Sequence, residues 1–365
     1  MASIESLAWE TLDQIASDLT PWELEQVSSA SSRLWYRFVR RRFHSIQFRG
    51  DREGVSTMLL NFLSNSNTPR VQEMKRQARS ISFIVLHGAR ANNYQEDKGF
   101  LPSLIVSTIN KMPNVFALGL KVYGLSRRER SALQTQVKSA RRCTAITHLK
   151  VDLPNPVFRK LINTTLQVSL IQAIDVDTEI RIRHLNMLGA HLPNIRRLRV
   201  KIRDPCIRYR KLIRRHAPNQ AQICFPSFHN LECLVVADAG SPARPRSFGS
   251  HQALRANLRE FNRSLANLRS LRRLAIEFWP GILLWISDHD LEEGSQQREE
   301  LNEVLGTLTC DMGYILPNLE EMCLVESTAF QDLVHKGKRS MAGQVMNTTH
   351  EVANSRDTFP LGILY

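Results

Sequence analysis

The stretch from Arg196 to Arg215 holds Arg196, Arg197, Arg199, Lys201, Arg203, Arg208, Arg210, Lys211, Arg214 and Arg215 against a single acid, Asp204. A guanidinium is a rigid fork of donors that meets a carboxylate or a phosphate with two bonds at once. Such a cluster offers recognition of an acidic or phosphorylated partner; the competing reading is a solvated outer face that keeps a large chain soluble. No catalytic chemistry accompanies it. The chain carries no H-E-x-x-H, G-x-S-x-G, phosphate loop or G-x-G-x-x-G. Its six cysteines, Cys143, Cys206, Cys224, Cys233, Cys310 and Cys323, are spread out with no C-x-x-C pair. That spacing suits neither a zinc site nor a disulfide framework, and fits a reducing compartment. Cys233 and Cys323 fall in strand-like phrases, where a buried thiol is the usual state. The expected class is therefore a binding protein, not an enzyme, with no cofactor and no metal.

The 365 residues carry a formal net charge of +14. A basic balance favours acidic partners. Nucleic acid is the rival, but no zinc-finger spacing, RNP-type strand or basic zipper accompanies the charge, which argues against it. The first ten residues contain acids and no leader-like apolar core. The longest strongly apolar run, Phe278 to Ile286, contains Pro280 and Gly281 and is too short to span a bilayer. It is expected to fold down as core, and the chain to work in the cytoplasm, the nucleus or both, with no membrane partner.

One short phrase recurs along the chain: apolar-x-x-apolar-x-apolar, often after Pro-Asn. Clear copies are Val115 with Leu118 and Leu120, Ile195 with Leu198 and Val200, and Leu319 with Met322 and Leu324. Leu231 with Leu234 and Val236, and Leu271 with Leu274 and Ile276, are close. Weaker copies start at Phe43 (Ile46, Phe48), Ile81 (Ile84, Leu86), Ile146 (Leu149, Val151) and Ile171 (Ile174, Val176). The anchors are 38, 34, 31, 25, 24, 36, 40 and 48 residues apart. Helical periodicity fills the gaps over 101–111, 127–140, 178–191, 251–268 and 297–315. One strand and one helix cannot bury an apolar face alone, so the alternation predicts stacked α/β units with a curved parallel sheet. The fold class expected is α/β, an irregular leucine-rich-repeat-like solenoid.

Strand side chains alternate, so the residues between the buried positions should line the concave face. This places Phe83, Val85 and His87 near one end, and Cys233, Val235, Ala275, Cys323 and Val325 near the other. The middle is charged, and His148, Lys150, Arg197, Arg199, Lys201 and Arg273 are the candidate target-binding residues there.

Residues 7 to 43 read as three short helices. Leu7, Leu12, Ile15, Ala16 and Leu19 form one apolar stripe. Thr20-Pro21-Trp22-Glu23 gives a second start, with Leu24 and Val27 on its buried face. Leu34, Trp35, Phe38 and Val39 belong to the third. The order Leu7, Glu10, Leu12, Ile15, Leu19, then Leu24, then Ser31-Ser32-Arg33-Leu34-Trp35, resembles an F-box, with Ala8 where that family has proline and Thr11 where it has an aliphatic residue. The resemblance covers about the first 45 residues. It implies docking on a Skp-type adaptor, and through it on a cullin, by Leu7, Trp9, Leu12, Ile15, Leu19, Pro21, Leu24 and Trp35. An F-box followed by degenerate leucine-rich-like repeats resembles many fungal F-box proteins. The expected organisation is an F-box over 1–43, a solenoid over 44–326 and a partly disordered tail over 327–365, whose last apolar residues can be pinned back on the solenoid end. The expected function is target recruitment for an SCF-type ubiquitin ligase. The alternative is an interaction scaffold, or a basic nucleic-acid-binding protein, with a lapsed F-box.

Overall fold

The computed structural model describes residues 4–19, 21–35, 38, 43–86, 100–139, 145–153, 158, 170–180, 182–202, 228–238, 251–278, 296–327, 332–339, 346–352, 359–361 and 363. The chain is α/β and divides into two compact units, Met1–Leu170 and Ile171–Tyr365. The boundary falls inside the span expected to be one solenoid.

The first unit begins with a 3-10 turn, Ile4–Ser6, then α1, Trp9–Asp18, and α2, Pro21–Ser29. A further helical turn covers residues 32–35, its free amides answered by the Ser31 hydroxyl, which accepts from Arg33 N and Leu34 N. Leu12, Ala16, Leu24, Leu34 and Phe38 close on one another as this module's own core. A four-stranded parallel sheet follows: β1, Ser45–Gly50; β2, Ser80–Val85; β3, Ala117–Lys121; β4, His148–Asp152, each pairing with the next. Parallel neighbours require a crossover. Here the crossovers carry α3, Arg52–Ser64, and α4, Pro69–Gln77, then α5, Phe100–Asn110, then α6, Arg127–Ser139.

The helices α3 and α4 are additions to the sequence reading, though both were signalled. Asp51 caps α3 by accepting from Gly54 N at 2.8 Å. Val55, Leu59 and Phe62 then recur on its buried face. Thr68-Pro69 opens α4 with proline in its first turn. The start of α6 is a capping box: Glu129 N donates to the Ser126 hydroxyl, and Ser126 N donates to the Glu129 carboxylate. The same buried Glu129 holds Arg52 of α3 at 2.8 Å, tying two crossovers together.

In the second unit β5, Ala173–Glu179; β6, Arg197–Ile202; β7, Cys233–Asp238; β8, Arg273–Phe278; and β9, Glu321–Ser327 pair in chain order and in parallel. Three crossovers carry α7, Ile182–His191; α8, His251–Leu265; and α9, Gln296–Ile315. Two antiparallel strands then extend the sheet, β10, Asp332–Arg339, and β11, Met346–Val352. The segment expected to be a loose tail thus contains two strands. Alternate apolar positions are sparse there, so periodicity gave little sign of them; backbone pairing to β9 supplies the order.

The recurring phrase marks the strands and their register. Ile174, Leu198, Leu234, Leu274 and Met322 are successive register partners, as are Val176, Val200, Val236, Ile276 and Leu324. All ten are buried to 1 % exposure or less. Fully burying a side chain of this size is worth about 1.5–3 kcal/mol, so these two rows are the main adhesive of the unit. The Pro-Asn lead-in also has a structural cause. Asn114 donates its side-chain amide to the Arg76 carbonyl, Asn230 to Pro193 and Asn318 to Arg269, each reaching back to the preceding strand–helix repeat. Ser270 does the same with its hydroxyl to His229.

One phrase was framed wrongly. In β2 the buried residues are Ile81, Phe83 and Val85, at 0 % exposure, while Leu86 is 42 % exposed. The anchor is Ala78, also fully buried, so the phrase runs Ala78-x-x-Ile81-x-Phe83. Phe83 and Val85 are therefore core and not part of an open face. Phe83 is the register partner of Phe48 and stacks on it, centroids 5.6 Å apart. His87 lies outside the described residues, as do Trp279 to Ile286 of the apolar run; Phe278, which opens that run, is buried.

Candidate interaction surfaces

Two surfaces carry the residues singled out from the sequence. The first is α1 and its approach. Ala8 caps α1 without a side-chain bond. Leu7 is 37 % and Trp9 58 % exposed. Ile15 is half-buried, and Leu19 packs partly against the module's core. Trp35 is half-buried and meets Phe43 edge-on at 5.7 Å. Pro21 opens α2, and its side chain is outside the described residues. Leu12 and Leu24, at 3 % and 5 % exposure, do not present a docking surface: they face the small core formed with Ala16, Leu34 and Phe38. A three-helix module this small needs its largest aliphatics inside. Among the described residues, the exposed apolar side chains here are Ile4, Leu7 and Trp9, with Ile15 half-buried.

The second surface is the sheet of the second unit, on the side opposite the two buried rows. The six candidate target-binding residues divide between the units. His148 and Lys150 belong to β4 of the first. There His148 Nδ1 lies 2.7 Å from the Thr147 hydroxyl, and the ring meets Phe116 edge-on at 5.5 Å. Arg197, Arg199, Lys201 and Arg273 belong to β6 and β8 of the second.

Arg199 is not an open anion receptor. Its Nη1 lies 3.0 Å from Asp175 Oδ1 and 3.4 Å from Asp177 Oδ1, and its Nη2 lies 3.2 Å from Glu277 Oε2. Its side chain is 12 % exposed and that of Asp175 1 %. Burial works against the charge on Arg199, but Asp175, Glu277 and Asp177 outweigh it and hold the guanidinium above its ordinary value. The guanidinium is engaged by three carboxylates, and their charge opposes an arriving phosphate. Register explains the cage: Asp175 is the β5 partner of Arg199, and Glu277 reaches it from β8. The acidic-partner reading of the cluster loses its central residue. Arg203 to Arg215 lie outside the described residues. Arg273 faces Glu321 at 3.7 Å, and Glu321 also holds Lys336 of β10 at 3.0 Å.

Beside these charges the same face is apolar and covered. Ala173, Cys233, Val235, Ala275, Cys323, Val325 and Val334 form one cluster with Leu361 and Ile363, and half-buried Phe359 packs against it. The last apolar residues, expected at the solenoid end, pack instead on the sheet face read as target-binding. Cys233 and Cys323 are buried, and burial pushes the Cys233 thiol up to about 12. A thiol held in that state is inert as a nucleophile near neutrality.

Among the described residues, no group of histidine, cysteine and carboxylate side chains could hold a metal ion. No helix among them is long and apolar enough to cross a membrane. Asn262, which begins a glycosylation triplet, is fully buried in α8 and cannot accept a glycan in this fold. The chain matches no protein-family model, and no curated protein is significantly similar to it.

Proposed function

We propose that the chain is the target-recruiting subunit of an SCF-type ubiquitin ligase. In this reading residues 1–43 act as an F-box that docks on a Skp-type adaptor and through it on a cullin. The strand–helix units form a leucine-rich-repeat-like solenoid whose inner face takes a protein target. No chemistry is asked of the chain. It raises the effective concentration of a target near a charged ubiquitin carrier, a gain that depends on geometry alone.

The observation that supports the adaptor half best is the division of labour in the N-terminal module. Leu12, Ala16, Leu24, Leu34 and Phe38 close a core, while Trp9 stands 58 % exposed beside it with Leu7. Tryptophan is among the residues that most often anchor protein interfaces, and Trp9 with exposed Leu7 offers an apolar patch that a partner can cover.

The test is co-elution of the full chain with a Skp-type adaptor in size-exclusion chromatography. The wild type should co-elute. Trp9→Asp should weaken the complex by at least about 30-fold, the equivalent of losing a hot spot, with the melting temperature unchanged because the side chain lies outside the core. A wild-type chain that elutes alone ends the ligase reading and leaves a scaffold with a helical cap.

A further inference from the structure

We propose that the uncharged strip on β7, β8 and β9 is a groove for an apolar peptide segment, and that Phe359, Leu361 and Ile363 are its resident occupants. On this account an apolar segment of a target protein must displace them. The proposal rests on the reading of this sheet face as target-binding, and names the class of target.

The floor of the groove is made of Val235, Ala275, Cys323 and Val325, adjacent across three strands and all buried by what lies on them. Two of the four are small, which leaves a trough between the valines for larger side chains. Leu361 and Ile363 occupy it, at 4 % and 1 % exposure, with Phe359 beside them. Residues 359–361 form a turn, and Phe359, Leu361 and Ile363 all pack on the same cluster from it.

The rims decide what chemistry fits. On one side Glu321 pairs with Lys336 at 3.0 Å and more loosely with Arg273 at 3.7 Å. On the other, Arg199 is held by Glu277, Asp175 and Asp177. Charges already paired gain little from a charged ligand and lose their partners if one intrudes. The floor, in contrast, loses contact with water only when large apolar groups cover it. An acidic or phosphorylated peptide is thus the wrong class for this strip, and an apolar one resembling Phe359, Leu361 and Ile363 is the right one. A short segment held largely by side-chain packing can also open without the sheet unfolding, which makes competition physically accessible.

The test uses the full chain with Leu361→Ser and Ile363→Ser together. Its probes are a thiol-alkylating reagent and a fluorescent synthetic peptide of residues 355–365. Cys233 and Cys323 lie under the segment, whereas Cys310 is half-buried on α9, so only a rise above its native alkylation rate reports general unfolding. In the variant, alkylation of Cys233 and Cys323 should rise about tenfold or more with Cys310 unchanged, as for a local opening. The labelled peptide should bind the variant saturably and the wild type at least about tenfold more weakly, because the resident segment competes. A peptide carrying Asp at both altered positions should not bind. Unchanged alkylation of Cys233 and Cys323, or an uncovered face that takes no peptide, overturns the proposal. If all three cysteines react together, Ile363→Ala replaces the double variant. The same joint response there would make the segment an integral part of the core and also overturn the proposal. Adaptor co-elution in the same preparations keeps the two readings apart: peptide capture without adaptor binding sinks the ligase reading, and the reverse sinks only this inference.

Discussion

Replacing Arg199 by alanine should cost the fold about 3–5 kcal/mol, measured by urea unfolding, because it takes a counter-charge from the buried carboxylate of Asp175. Asp175 is the partner that cannot adapt, since only 1 % of its side chain reaches solvent. Asp177 and Glu277, at 23 % and 21 %, can turn partly to water. A control separates the loss of a good interaction from the stranding of a bad one. Arg199→Met combined with Asp175→Ala, Asp177→Ala and Glu277→Ala removes the whole cage, and should be less destabilising than Arg199→Ala alone. The raised value of the Arg199 guanidinium means its share of stability is present at every pH below the ordinary arginine value, so the deficit should not shrink on moving from neutral to mildly alkaline buffer. A loss of under about 1 kcal/mol for Arg199→Ala would show that the cage behaves as an exposed ion pair.

Phe83→Ala should be the most damaging single truncation in the first sheet, by about 3–5 kcal/mol, and Leu86→Ala should fall within about 0.5 kcal/mol of wild type. Phe83 is fully buried and stacked on Phe48, which in turn meets Phe62 of α3 edge-on at 5.7 Å. Truncation opens a hole that three elements line, β1, β2 and α3, and stiff neighbours cannot collapse into it. Leu86 lies beyond β2 and is 42 % exposed, so its loss removes little buried area. Swapped magnitudes would restore the frame in which Ile84 and Leu86 face inward.

That frame shows where sequence reading succeeded and where it stopped. The repeating phrase located the nine parallel strands, and the gaps located α5, α6, α7, α8 and α9 within a few residues. It worked because register partners such as Leu198, Leu234 and Leu274 must all be large and apolar to fill one row. It failed at β2 because Ile81, Phe83 and Val85 interleave with Ile84 and Leu86, so both phases look apolar, and because the true anchor, Ala78, is too small to read as one. The helices α3 and α4 were passed over although Asp51 and Thr68-Pro69 announce them.

The candidate surfaces were less legible than the fold, for a different reason. Alternation along β5, β6 and β8 puts Asp175, Arg199 and Glu277 on one face. Whether an arginine is offered to a partner or spent internally depends on register, which a single strand does not encode. Likewise the module's stripe does not say which of Leu7, Trp9, Leu12 and Ile15 turn inward. Packing of α1 against α2 and residues 32–38 decides that, and it took Leu12 for the core.

Amide hydrogen exchange on the full chain, with and without an excess of a Skp-type adaptor, reads the docking face directly. The account predicts slowed exchange across Leu7 to Leu19, which holds the exposed Trp9, while β6 to β9 of the second unit keep their free-state rates. Unchanged exchange across Leu7 to Leu19 with the adaptor in excess would contradict it.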